Sequence, residues 1–145
     1  MDSILLATTG EAHCMRAEDY ALKYCALNRT SLDIIHVVED NLSHYGMIDS
    51  LATEGDRRDF IAYSQKVERP EVERRLARIT GKAESMNINY RLYIEWKSPL
   101  YCILKHIRHV KSQLLVVGGR KRRHNPFSLV RCLSRKASCE VMQVL

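Results

Sequence analysis

The sequence contains no CxxC pair, no internal repeat and no low-complexity segment. Its longest apolar runs, such as Leu114–Val117, are far shorter than the roughly 18 residues that mark a membrane span. Its five cysteines, Cys14, Cys25, Cys102, Cys132 and Cys139, are odd in number and widely spaced. That spacing excludes a zinc ribbon and a thioredoxin-like motif, and it fits reduced thiols used as small buried hydrophobes. The first residues, Met1-Asp2-Ser3-Ile4, carry an acid where a secretory leader carries a base, and the apolar stretch behind them is short. The expected location is cytoplasmic.

Catalytic constellations are also sparse. The histidines His13, His36, His44, His106, His109 and His124 are scattered. His106 and His109 share a helix face, but no carboxylate lies at ligand spacing beside them, so a satisfied or solvated pair is expected and no metal site. His13-Cys14 follows the first strand, where a helix N-terminus can activate a thiol; the expected reading is an inert cysteine. Thr8-Thr9-Gly10-Glu11 is neither an SGGxDS loop nor an HxGH turn, which argues against an adenylating enzyme. No catalytic residues are assigned.

What is present describes one folded domain over residues 1–145. The chain has 145 residues, 46% of them hydrophobic and 28% charged, with a formal net charge of +6. Those values are ordinary for a globular protein and sufficient for one core. Ile4–Thr8, Leu32–Val38, Tyr90–Trp96, Leu114–Val117 and Cys139–Leu145 read as strands. Between them, Ala17–Leu27, the stretch behind Pro70, Leu100–Val110 and Phe127–Ala137 have helical spacing. Val72, Leu76, Ile79, Ala83 and Met86 form one apolar stripe. Pro70 is expected in that helix's first turn, and Ser98-Pro99 as the cap and first residue of the next. Asp40–Tyr63 reads as a connection with some helix.

Such alternation specifies a doubly wound, Rossmann-like α/β fold: a five-stranded parallel sheet of order 3-2-1-4-5 with helices on both faces. Ligands of such sheets sit beyond the strand C-termini where strand order reverses, here between the first and fourth strands. The loops concerned begin at Thr9-Gly10 and Gly118-Gly119. Between Gly119 and Ala137 there are seven bases, Arg120, Lys121, Arg122, Arg123, Arg131, Arg135 and Lys136, and no acid. Paired glycines, bases and a helix start together fit an anion or nucleotide.

At this point the chain resembles a single-domain universal stress protein over its full length. The carrying segments are Ile4–Gly10, Ala17–Ala21, Ile35-His36-Val37-Val38, Ser98-Pro99, Leu114–Arg120 and Cys139–Val144. The nucleotide binders of that family resemble one another in an Asp after strand 1 and a G-x2-G-x9-G-[ST] pattern after strand 4. Here Thr9 takes the Asp position, Lys121 the second glycine and Phe127-Ser128 the final pair. A threonine hydroxyl accepts hydrogen bonds more weakly than a carboxylate, and Lys121 adds a Cβ where close backbone approach is wanted.

The resemblance therefore implies the branch named for universal stress protein A: a non-catalytic, stress-responsive regulatory or binding protein with an eroded nucleotide site and no expected cofactor. In the alternative, an ATP or AMP switch with magnesium, Gly118, Arg120, Lys121 and Ser128 would hold phosphates, and Gly10 and Gly119 belong to the same nucleotide-binding set. Thr9 and the Val38 backbone would lie near the base. Slow ATP hydrolysis would be its only enzymatic form. A second alternative is nonspecific nucleic-acid binding through Arg120–Arg123, which a net charge of +6 permits without demanding. The apolar last strand, with Val141, Met142 and Val144, is an exposed sheet edge, and the expected solution is a homodimer through it. Protein partners are allowed for; nucleic acid and a membrane are not expected.

Overall fold

The computed structural model describes residues 2–37, 54–96, 98–118 and 129–144; for helix residues 54–69 the backbone alone is described. Five strands, β1 (Ser3–Ala7), β2 (Ser31–Val37), β3 (Tyr90–Glu95), β4 (Leu114–Gly118) and β5 (Glu140–Val144), pair in parallel in the order β3-β2-β1-β4-β5. Among the described residues four α-helices connect them: α1 (Met15–Asn28), α2 (Glu54–Ser85), α3 (Pro99–Val110) and α4 (Leu129–Lys136). A 3-10 turn, Ala12–Cys14, precedes α1. The expected sheet order holds.

The central strands are apolar on both faces because both faces are covered. Side chains alternate across β1, so Ile4 and Leu6 face one layer and Leu5 the other. The first layer is α1 and α2, whose Ala17, Ala21, Leu22, Val72, Leu76, Ile79 and Ala83 bury against Ile4, Leu6, Leu32, Ile34 and Val116. The second is α3 and α4, whose Cys102, Ile103, Ile107 and Leu133 bury against Leu5, Ile35, Leu115 and Val117. No described helix is long and apolar enough to cross a membrane.

Two expectations need correction. Pro70 lies inside α2, which begins at Glu54, rather than in its first turn. A proline removes one helical hydrogen bond, and the good helix formers on both sides carry the helix past that loss. The helix expected within Asp40–Tyr63 runs from residue 54 and continues into the one behind Pro70; residues 40–53 lie outside the described residues. Met86 falls in the turn after α2 and is 42% exposed, so the buried stripe ends at Ala83. Ser98 does take the N-cap position, but its side chain makes no capping bond; its carbonyl accepts the first helical bond, from Cys102 N–H at 3.0 Å. Phe127 and Ser128 lie outside the described residues, which take up α4 at Leu129.

Candidate functional site

The turn between β1 and α1 is built around Thr8, all of whose polar groups are engaged. Its N–H donates to the Ile35 carbonyl (3.1 Å), and its own carbonyl accepts from His36 Nδ1 (3.0 Å). Its hydroxyl donates to Glu18 Oε2 (2.8 Å) and accepts from Gly10 N–H (3.1 Å). A carbonyl only accepts, so His36 carries its proton on Nδ1. Burial, above all, pushes His36 below the usual histidine range; the Thr8 bond opposes this and the nearby Arg75 charge adds to it.

Gly10 is required twice over. Its φ of +76° is left-handed, and a Cβ there would stand 2.8 Å from the Arg75 carbonyl oxygen of α2. Arg78, one helical turn on, donates to Glu18 Oε1 (2.6 Å) and reaches the Gly10 carbonyl (3.5 Å). Glu18 is a carboxylate only 2% exposed, and a buried charge needs such a partner. The turn is thus held from α1 by Glu18, from α2 by Arg78 and from β2 by His36.

Thr9 comes next, and its hydroxyl accepts from Glu11 N–H (3.3 Å) and lies 3.6 Å from Cys14 Sγ. Cys14 is buried at the start of α1. Gly118, ending β4, packs on the same residue: a Cβ there would stand 3.1 Å from Cys14 Cα and 3.2 Å from its sulfur. That close approach gives Gly118 a packing reason independent of any ligand. Thr9, Gly10 and Gly118 therefore do come together at the strand C-termini between β1 and β4. Val38, Gly119, Arg120, Lys121 and Ser128 lie outside the described residues.

Sequence reasoning missed Thr8, Glu18, His36 and Arg78. One signal was available: Glu18 falls three, four and seven residues before Ala21, Leu22 and Cys25, inside the apolar stripe of α1. Asp33 carries the same signal within β2. It is buried and accepts from His106 Nε2 at 3.1 Å, with the Tyr93 ring edge-on to the imidazole at 4.6 Å between centroids. The expected His106–His109 pair is therefore split: His106 turns inward to a carboxylate 73 residues away, and His109 is exposed. All five cysteines are free, and burial raises the thiols of Cys25 and Cys139 above the usual range. Among the described residues no three His, Cys, Asp or Glu side chains are grouped to hold a metal.

No protein-family model matches the sequence, and no curated protein is similar to it in sequence. Solved structures are similar in fold. A universal stress protein family member from Burkholderia pseudomallei has 20% identity over 99% of this chain and 95% of its own, with a TM-score of 0.68. The universal stress protein from Archaeoglobus fulgidus in complex with dAMP has 14% identity over 100% and 98%, with a TM-score of 0.66. A universal stress protein family protein from Arabidopsis thaliana with AMP bound has 18% identity over 99% and 91%, with a TM-score of 0.61. The chain has the fold of the universal stress proteins.

Proposed function

We propose that this chain is a non-catalytic regulatory protein of the universal stress type, cytoplasmic and dimeric, whose nucleotide site is eroded. The observation that carries the reading is the state of the carboxylates around the β1–α1 turn. Thr9 is uncharged and its hydroxyl is already engaged. Glu18 is committed to Thr8 and Arg78, and Glu11 lies 3.5 Å from His13. No unpaired carboxylate among the described residues of the turn is left to accept from a ribose or a base, and a neutral hydroxyl replaces it poorly.

Titration calorimetry with Mg-ATP and with AMP tests this. The expected result is no saturable one-to-one heat at micromolar concentration and physiological salt. Tight, salt-resistant binding would overturn it and establish the second reading, an adenosine nucleotide switch. That reading is favoured by one observation: this fold holds AMP in the Arabidopsis protein and dAMP in the Archaeoglobus protein. Gly118, Arg120, Lys121 and Ser128 would then hold phosphate, and Arg120→Ala would weaken binding.

The dimer forms through β5, which ends the sheet in this topology. Val141, Met142 and Val144 are half-buried, Val141 against the α3–α4 layer and the other two against the α1–α2 layer. Gln143 is exposed and contributes nothing to either core. Gln143→Lys places a charge on the edge without touching those cores and is expected to shift sedimentation from dimer to monomer. An unchanged dimer would move the interface elsewhere.

A further inference from the structure

Charge is divided unevenly over this fold. Residues 96–139 contain eleven Lys and Arg and no Asp or Glu, whereas the rest of the chain has 17 acids to 12 bases. Both α3 and α4 come from that acid-free block. The fold lays them side by side on one sheet face, because Ile103, Ile107 and Leu133 bury in a single cluster. Their outward sides carry Lys105, Arg108, His109 and the cap residue Lys111, together with Arg131, Arg135 and Lys136, all exposed. The carboxylate that α3 does meet, Asp33, is buried and bonded to His106.

Helix stability does not explain the pattern. Bases in a last turn complement the helix dipole, which accounts for Arg108, His109, Arg135 and Lys136. Arg131 stands in the first turn of α4, where the dipole disfavours a cation, and neither helix has an acid in its first turn. On the other layer acids and bases alternate and pair, as in Glu18–Arg78, Asp19–Lys82 and Glu71–Arg74.

We infer that the α3–α4 face binds the phosphate backbone of a double-stranded nucleic acid without reading its bases. Exposed cations spread over two adjacent helices fit a polymer of regularly spaced phosphates. An anionic bilayer fits less well, because the apolar stripes of both helices are largely spent on the core, leaving Tyr101, Val110 and Leu129 as their exposed large apolar side chains. Single strands call for stacking platforms, and the exposed aromatic residue on α3, Tyr101, has the Lys105 ammonium 5.8 Å from its ring centre.

Fluorescence anisotropy with a labelled duplex of about 20 base pairs, between about 50 and 200 mM salt, tests the inference. The wild type is expected to bind at low salt, with log affinity falling against log salt at a slope of about −4. The variant Lys105→Gln/Arg108→Gln/Lys111→Gln/Lys136→Gln should still unfold cooperatively as a folded protein, lose at least about tenfold in affinity and flatten the slope by about three. Arg74→Gln/Lys82→Gln, on the opposite layer, should bind nearly as the wild type. Four results would each overturn the inference. They are no binding at low salt, equal weakening by both variants, loss only when Arg120–Arg123 are neutralised, and binding to phosphatidylserine vesicles in place of the duplex.

Discussion

The α1–α2 layer and the α3–α4 layer cover the same sheet with the same kind of apolar stripe, yet they treat charge in opposite ways. On the first, charged groups are turned inward or toward one another. Glu18 is buried, Arg78 crosses from α2 to meet it, and both hold the turn that ends β1. On the second, one buried acid meets one histidine, and the other charged residues described on α3 and α4 are cationic and exposed. The difference teaches that inward and outward charge have been separated by face. Charge that shapes the β1–α1 turn lies under α1 and α2, and exposed cations lie over α3 and α4.

Removing the inward pair should do the most damage. Arg78→Met leaves Glu18 buried and without its cation. Removing one partner of a fully buried pair costs about 3–5 kcal/mol. Because the Arg78 side chain is 33% exposed, about 2–3 kcal/mol is expected in denaturant unfolding. Gly10 amide exchange should quicken as well, since the guanidinium also reaches its carbonyl.

Asp33→Asn keeps the shape of the second layer's inward pair and removes its charge. It should cost about 1–3 kcal/mol in the same measurement and leave Gly10 exchange as it was. A change at Gly10 would break the separation of the two layers.

The pH dependence sharpens the contrast further. His36 is held neutral by burial, with a folded pKa below that of the unfolded chain. The unfolded state therefore binds more protons in that window. Stability from this group is full above about pH 6.5 and declines as pH falls below it. His36→Asn removes the titration, so the stability gap between wild type and variant should narrow on acidification. A gap that widens toward pH 5 would contradict the neutral assignment.

The smallest effect belongs to the outward charges: Lys105→Gln/Lys136→Gln should change stability by less than about 0.5 kcal/mol.

Much of the frame was legible in the sequence. The parallel sheet covered on both faces followed from the βα alternation, and the turn glycines Gly10 and Gly118 were found because glycine is informative where backbones approach closely. Proline misled: Pro70 reads as a helix start, but the helix formers on both sides carry α2 past it. The polar frame of the site was not legible, because its pairs join distant elements: Glu18 with Arg78 are 60 residues apart and His106 with Asp33 are 73. An acid inside an apolar stripe, as at Glu18 and Asp33, announces that a partner must exist without saying which. The basic block was visible as a run of residue types. That α3 and α4 present it on one surface depends on the right-handed crossovers that place both helices on the same face.

The division of charge itself is tested most directly by thermal melting of the wild type against Lys105→Gln/Arg108→Gln/Lys111→Gln/Lys136→Gln at low and high sodium chloride. Salt screens repulsion among exposed like charges far more than it weakens a buried pair. The account predicts that salt raises the melting temperature of the wild type clearly more than that of the variant. Equal shifts, or a larger one in the variant, would mean that the α3–α4 cations are already compensated, and the contrast between the two layers would not stand.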